Sequence, residues 1–176
     1  MIIYVKGKNI VAVTEKDILS IEGAEVFEVD NVPKDFRKYD FINGEFILNP
    51  EKELKIKELE EQEKLQAKYD SCKNYIYQYY PQEKQASDSA DKEYYLAMLK
   101  AKGVKNLEAK IVAMVQKFYE GKSLDEVVKD IVDEDKEAYK QLVKVGIRVS
   151  WVQRCKAELK KALSEGREPE YPKYPL

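Results

Sequence analysis

The feature that most constrains this chain is a run without glycine, residues 49–80, NPEKELKIKELEEQEKLQAKYDSCKNYIYQYY. Its one proline, Pro50, stands at the start, and Pro81 follows directly after it. A stretch this long with no internal breaker is predicted as one continuous helix. Asn49 suits the N-cap and Pro50 the first helical position, and Glu51 and Glu53 favour the positive end of the helix dipole. Pro81 ends it, because the residue before a proline is pushed out of the α region. The two halves differ in character. Residues 51–64 are mostly Glu and Lys, with Leu54, Ile56 and Leu59 the apolar exceptions. From Leu65 onward Tyr69, Cys72, Ile76 and Tyr79 recur every three or four residues and share one stripe. The first half therefore reads as a solvated spacer and the second as a surface that docks.

The helix divides the chain. Residues 2–6 (IIYVK) and 10–14 (IVAVT) are rich in β-branched side chains, with Gly7-Lys8-Asn9 between them as a hairpin loop. Residues 15–21 read as a short helical turn ended by Gly23. In 25–30, EVFEVD, a strand period puts Phe27 and Val29 on one face as the core pair. Asn43-Gly44 between DFI and EFIL is a strong hairpin signal, since a type I′ turn needs positive φ at both central positions. The expectation is four or five short strands in an antiparallel meander. Such a unit is marginal by itself and needs something to pack on.

After residue 80 the signals are helical. The polar segment PQEKQASDSADKE reads as a loop or a poorly packed first turn, with Ser87, Asp88 or Ser89 capping a helix that runs to Lys102 with Tyr95, Met98, Leu99 and Tyr94 facing inward. Gly103 is the expected C′ residue. Asn106 then caps a helix carrying Leu107, Ile111, Met114, Val115 and Phe118, ended by Gly121. Ser123 and Glu126 form a capping box ahead of a helix with Val127, Val128, Ile131 and Val132. A break near 133–135 leads into a last helix over about 136–164. Gly146 inside it costs helix stability and points to close packing or a bend. Gly166 closes it, and the remaining REPEYPKYPL is expected to be extended. The fold class is α+β: a small antiparallel β-rich head at 1–48, a long connecting helix at 49–80, a helical bundle at 81–166 and a Pro/Tyr tail at 167–176. The bundle's own caps and glycines predict that it folds without the head.

Composition excludes more chemistry than it supports. The chain has 31 basic and 33 acidic residues and no histidine. The near-neutral balance speaks against a nucleic-acid binder. Without histidine, a Ser-His-Asp or Cys-His arrangement is impossible and the commonest metal ligand is missing. The glycines form no phosphate-binding loop. Cys72 and Cys155 are far apart in sequence and in apolar helical contexts, and read as buried free thiols. No apolar run is long enough for a membrane span and no signal pattern is seen, so a protein kept in the cytoplasm or in a particle assembled there is expected. Asp130, Asp133, Glu134, Asp135 and Glu137 cluster, but the central glycine and ligand spacing of an EF-hand loop are absent. A helix end followed by an acidic first turn accounts for them. No cofactor and no catalytic or metal-binding residue is assigned.

What remains is aromatic. Tyr69, Tyr75, Tyr77, Tyr79 and Tyr80 on the long helix, with Tyr171 and Tyr174 in the tail, are the candidate partner-binding residues. Tyrosine buries a ring while its hydroxyl stays wet, and interfaces are enriched in it. A homo-oligomer or an obligate partner is expected, with binding carried by rings rather than by charge.

Three stretches carry a family resemblance. They are VPKDFRKYDFINGEFILNP with the charged helix after it, YYPQEKQASDSADKEYYLAMLKAKGVKNLEAKIVAMVQKFYEG, and the terminal EPEYPKYPL. Together they resemble small tail-associated proteins of bacteriophages and prophages, grouped with tail-fibre assembly proteins. The family's Gly-Arg-Gln-like element has its nearest match in Gly146-Ile147-Arg148, which lacks the Gln. The resemblance implies a β unit joined to a helical module, no enzymatic activity, and a role in building or attaching tail fibres in the host cytoplasm. It implies a tail fibre or another tail protein as partner. The motif positions Tyr80, Pro81, Gln82, Glu83, Gln85, Leu99, Gly103, Val104, Leu107 and Ile111 look structural. A structural virion component, fibre-attaching or baseplate-associated, is the alternative, and a divalent-cation-dependent enzyme a weaker one.

Overall fold

The computed structural model describes residues 1–16 and 20–176; the middle of the helical turn expected at 15–21 lies outside the described residues, and the flanking residues 15, 16, 20 and 21 are not helical. The protein is α+β. Among the described residues five strands, β1 (Ile2–Lys6), β2 (Asn9–Thr14), β3 (Glu25–Glu28), β4 (Tyr39–Ile42) and β5 (Glu45–Leu48), precede five α-helices. These are α1 (Pro50–Tyr79), α2 (Gln82–Ala101), α3 (Leu107–Tyr119), the single turn α4 (Leu124–Val127) and α5 (Asp133–Glu165). The chain forms two compact units, Met1–Gln66 and Ala67–Leu176, and α1 contributes its first half to one and its second half to the other.

In the first unit every strand pair is antiparallel, but the order is β3-β1-β2-β4-β5 and not the expected meander. The reason lies in β1. Ile3, Tyr4 and Val5 are all buried, so the backbone groups along both edges of β1 are shielded from water and need ladder partners. Hence β3 returns to pair with the free edge of β1, and β2 takes the other. Phe27 packs on the core of Ile3, Val5, Ile10 and Phe41, as does Val29, while Val26 points out, which is the alternation the strand period requires. Asn43 (φ 52°) and Gly44 (φ 87°) make the β4–β5 turn with positive φ at both positions. β2 meets β4 in register only at Asn9 and Asp40. Asp40 reinforces that joint. Its buried carboxylate pairs with Lys52 at 2.7 Å and Lys8 at 3.2 Å and accepts from Asn49 Nδ2 at 3.0 Å. Lys52, with help from Asn49 and Lys8 against the cost of burial, holds the Asp40 carboxyl down at about 2. Asn49 also caps α1, its Oδ1 accepting from the amides of Glu51 (3.0 Å) and Lys52 (3.3 Å). Beyond this cap, residues 57–67 are exposed throughout, as the charged half-helix predicts.

The second unit is built on α5. Eleven buried residues lie on α5 against two on α1, so the longest apolar service comes from the last helix and not from the glycine-free run. The N-terminal part of α5 packs Tyr139, Leu142, Val143 and Ile147 with Leu99 of α2, Leu107 of α3 and Val127-Val128. Its C-terminal part packs Trp151, Cys155 and Leu159 with Cys72, Ile76 and Tyr80. Gly146 sits where α5 approaches α3. A Cβ there would lie 2.7 Å from Val115 Cγ2, so only glycine fits without movement.

Three boundaries differ from expectation. Residues 82–93 are helical rather than a loop, because Pro81 takes the N-cap and Asp88 is claimed by partners elsewhere and not by the backbone. The capping box of Ser123 and Glu126 forms, but α4 stops at Val127, and Ile131 lies in the turn that follows. Tandem β-branched valines give that turn little helical support. The break expected at 133–135 is instead the first turn of α5, where Asp133, Glu134 and Asp135 favour the helix dipole. Asn106 holds the N-cap position of α3 in a left-handed conformation without a side-chain cap bond, and Tyr94 is exposed. Gly103, Gly121 and Gly166 close their helices with positive φ.

Candidate interaction site

The seven candidate tyrosines fall into three groups. Tyr75, Tyr79, Tyr171 and Tyr174 gather around Trp151. The tail residues 167–176 adopt neither helix nor strand and lie back on α1 and α5. Tyr171 stacks on Tyr75 at 4.9 Å between centroids, and Tyr174 stacks on Tyr79 at 5.7 Å and meets Trp151 edge-on at 5.0 Å. Each such ring pair contributes about 0.5–1.5 kcal/mol beyond its burial. The Pro172 carbonyl accepts from both Trp151 Nε1 (2.8 Å) and Tyr75 Oη (3.2 Å). At the head of the tail, Arg167 pairs with Glu158 at 2.6 Å, and Glu158 also accepts from the amide of Glu170. Arg167 first, then that amide, hold the Glu158 carboxyl at about 2. The tail is thus bound by its own chain at both ends. Tyr79 keeps 42% of its surface exposed beside it.

Tyr80 is interior. Its ring is 4% exposed and its hydroxyl donates to Asp88 Oδ2 at 3.0 Å. Burial, then the neighbouring Asp88 carboxylate, push the phenol well above its ordinary value. Asp88 itself is buried on α2 and held by Arg148 Nη1 at 2.7 Å and Lys84 Nζ at 2.6 Å. Burial alone would raise its pKa; the bonds from Lys84, Arg148 and Tyr80 outweigh that and leave it below the ordinary carboxylate value. Arg148 Nε reaches on to the Tyr174 hydroxyl at 3.1 Å. One guanidinium therefore joins α2, the end of α1 and the tail. Neither Asp88 nor Arg148 was marked by the sequence as a pair; sixty positions separate them, and the only trace was a charged residue beside Gly146-Ile147.

Tyr69 and Tyr77 stand apart, on a cleft of about 620 Å³ between the second half of α1 and the C-terminal part of α5. Tyr69 is 49% exposed, and Tyr77 is half-buried with the Lys73 ammonium 5.6 Å from its ring centroid. The motif residues next to it do local work. Gln82 Nε2 donates to the Tyr77 hydroxyl at 2.8 Å, and Gln85 Nε2 donates to the Tyr80 carbonyl at 2.7 Å, which closes the end of α1 across Pro81. Leu99 and Leu107 are core, and Val104 N donates to the Leu99 carbonyl.

The acidic cluster resolves into separate pairs: Asp133 with Lys136, and Asp135 with Lys102 at the C-cap of α2. Among the described residues no three acidic or thiol groups converge as a metal-binding set. Cys72 and Cys155 are buried thiols, with Cys72 Sγ 3.9 Å from the Cys155 carbonyl. Burial raises both, Cys155 to about 12. Among the described residues no helix is long and apolar enough to cross a membrane. The chain matches no family model, no curated protein and no solved structure.

Proposed function

We propose that the protein acts by binding, without catalysis, as an assembly chaperone or accessory factor for the tail fibre of a bacteriophage-type particle, working in the host cytoplasm while the particle is built. One observation carries the reading. The segments that hold the family resemblance in the second unit meet in space: Arg148, the match to the family's Gly-Arg-Gln-like element, bonds Asp88 of the middle stretch and Tyr174 of the terminal one. Residues that are scattered in sequence and convergent in the fold are what a shared architecture needs. The exposed rings of Tyr69 and Tyr79 and the half-exposed ring of Tyr77 then offer the kind of anchors on which interface energy concentrates.

The test is co-expression with the products of neighbouring genes, followed by purification. A tail-fibre or other tail protein is expected to co-purify, and Tyr69→Ala or Tyr77→Ala to weaken that association by about 2 kcal/mol or more if the ring is an anchor. Tyr80→Ala is expected to lower stability instead, because Tyr80 is interior. Mass spectrometry of finished particles separates the two roles, since a chaperone leaves and a virion component stays. Recovery of the protein alone, with every tail protein in the unbound fraction, overturns the proposal.

A further inference from the structure

The cleft between α1 and α5 has a composition that the protein as a whole does not share. Its floor is Cys72, Ile76, Val152 and Leu159, all buried or half-buried. Its walls carry Lys73 from α1 and Lys156 and Lys160 from α5, all exposed, and no carboxylate lines it. In a chain where acids outnumber bases by 33 to 31, three lysines around an apolar strip without one Asp or Glu form a local cationic frame. Lys156 and Lys160 are one helical turn apart and so lie along the same wall. Lys73 stands on the other helix. Tyr69 and Tyr77 add two amphipathic rings to the rim.

From this we infer that the cleft binds an acidic amphipathic segment of a partner protein, with apolar side chains on the Ile76–Leu159 floor and carboxylates toward the lysines on both walls. Charge complementarity fixes the sign of the partner. The two-sided placement of the cations fixes its form. A single-headed amphiphile such as a fatty acid brings one carboxylate to one wall, whereas a helix brings acidic residues on both flanks of its apolar stripe. At about 620 Å³ the cleft holds a few anchor side chains, and the segment continues beyond it. The inference deepens the proposed function by giving the partner a chemistry, and it rests on the protein acting by binding.

The experiment uses the full chain and fluorescently labelled synthetic helices read by anisotropy. One helix has a leucine stripe flanked by Glu, a second has the same stripe flanked by Lys, and a third keeps Glu and replaces Leu by Ser. Oleate serves as competitor. The Glu/Leu helix is expected to bind at least about tenfold more tightly than either other helix and to weaken as salt rises. The double change Lys156→Glu with Lys160→Glu, at two exposed positions and checked for unchanged circular dichroism, is expected to abolish that preference. Equal binding of the Lys helix, indifference to the double change, or full displacement by oleate at stoichiometric amounts overturns the inference. A tail protein that still co-purifies with the double variant removes the cleft from the interface and leaves the proposed function standing. Selective binding of the Glu/Leu helix with no tail protein ever recovered does the opposite.

Discussion

Gly146→Ala measures how closely α3 and α5 are packed. In an exposed helix interior this change would stabilise by about 1 kcal/mol, through lost unfolded-state entropy and better helix propensity. Here the new Cβ would meet Val115 Cγ2 at 2.7 Å, with Ile111 Cγ2 at 3.8 Å. Val115 is half-buried and β-branched, so its methyl cannot swing away freely. Overpacking of this kind costs about 1–3 kcal/mol. The net expectation is a loss of about 0–2 kcal/mol where an open site would gain one. Val115→Ala removes the obstructing methyl and costs about 1 kcal/mol alone. In the double variant the clash is gone and the helix gain remains, so it should be no less stable than Val115→Ala alone. The coupling between the two changes is then about 1–3 kcal/mol in the stabilising sense. Urea unfolding followed by far-ultraviolet circular dichroism and by Trp151 fluorescence measures all four corners of the cycle. Gly146→Ala gaining the full helix-propensity increment, or the two changes adding within about 0.5 kcal/mol, would refute the close approach.

Removing residues 168–176 strips Trp151 of the Pro172 acceptor and the Tyr174 ring, so its emission should shift to the red and the melting temperature should fall; unchanged emission would mean that the tail does not cover it. Arg148→Met leaves the buried Asp88 carboxylate with Lys84 and Tyr80 only, and is expected to cost about 3 kcal/mol in denaturant unfolding, part of it recovered by adding Asp88→Asn. Asp40 has a folded-state value of about 2 against an ordinary 3.8. Its contribution to stability is complete above the ordinary value and is lost as pH falls through about 2, so Asp40→Asn should be less stable near neutrality and lose less on acidification. A parallel fall of the two proteins with pH would count against that. Residues 67–176 alone should melt cooperatively, since they contain both helical cores and the tail that covers one of them.

Much of this was legible in the sequence where the signal is local. Asn43-Gly44 specifies its turn through backbone sterics at two adjacent residues, Ser123 and Glu126 specify their capping box through two reciprocal bonds, and Gly146 inside a helix signals close packing or a bend, of which the structure shows the first. The failures are where the deciding partner is remote. Ser87, Asp88 and Ser89 look like a cap because their short polar side chains ordinarily seek nearby amides. Asp88 finds Arg148 and Tyr80 instead, which leaves the helix free to run past it. The place of β3 beside β1 depends on burial of β1 on both faces, which alternation within either strand cannot encode. Among the tyrosines, ring chemistry marked all seven as candidates, but a backbone carbonyl, that of Pro172, helps decide which of them the tail covers. Carbonyls leave no mark in a list of side chains.

The two cysteines turn the second unit into its own stopwatch. Alkylating reagents attack thiolate, and Cys155, fully buried and raised to about 12, presents on the order of one thiolate in 10⁵ at neutral pH. Labelling therefore waits for the packing around α5 to open, and its rate reports the free energy of that opening. Cys72 times the release of the second half of α1, and Cys155 times the release of α5 beneath it. Two clocks running at one rate describe a unit that opens all at once. A faster Cys72 describes a helix that lets go first, at the very wall of the lysine-framed cleft.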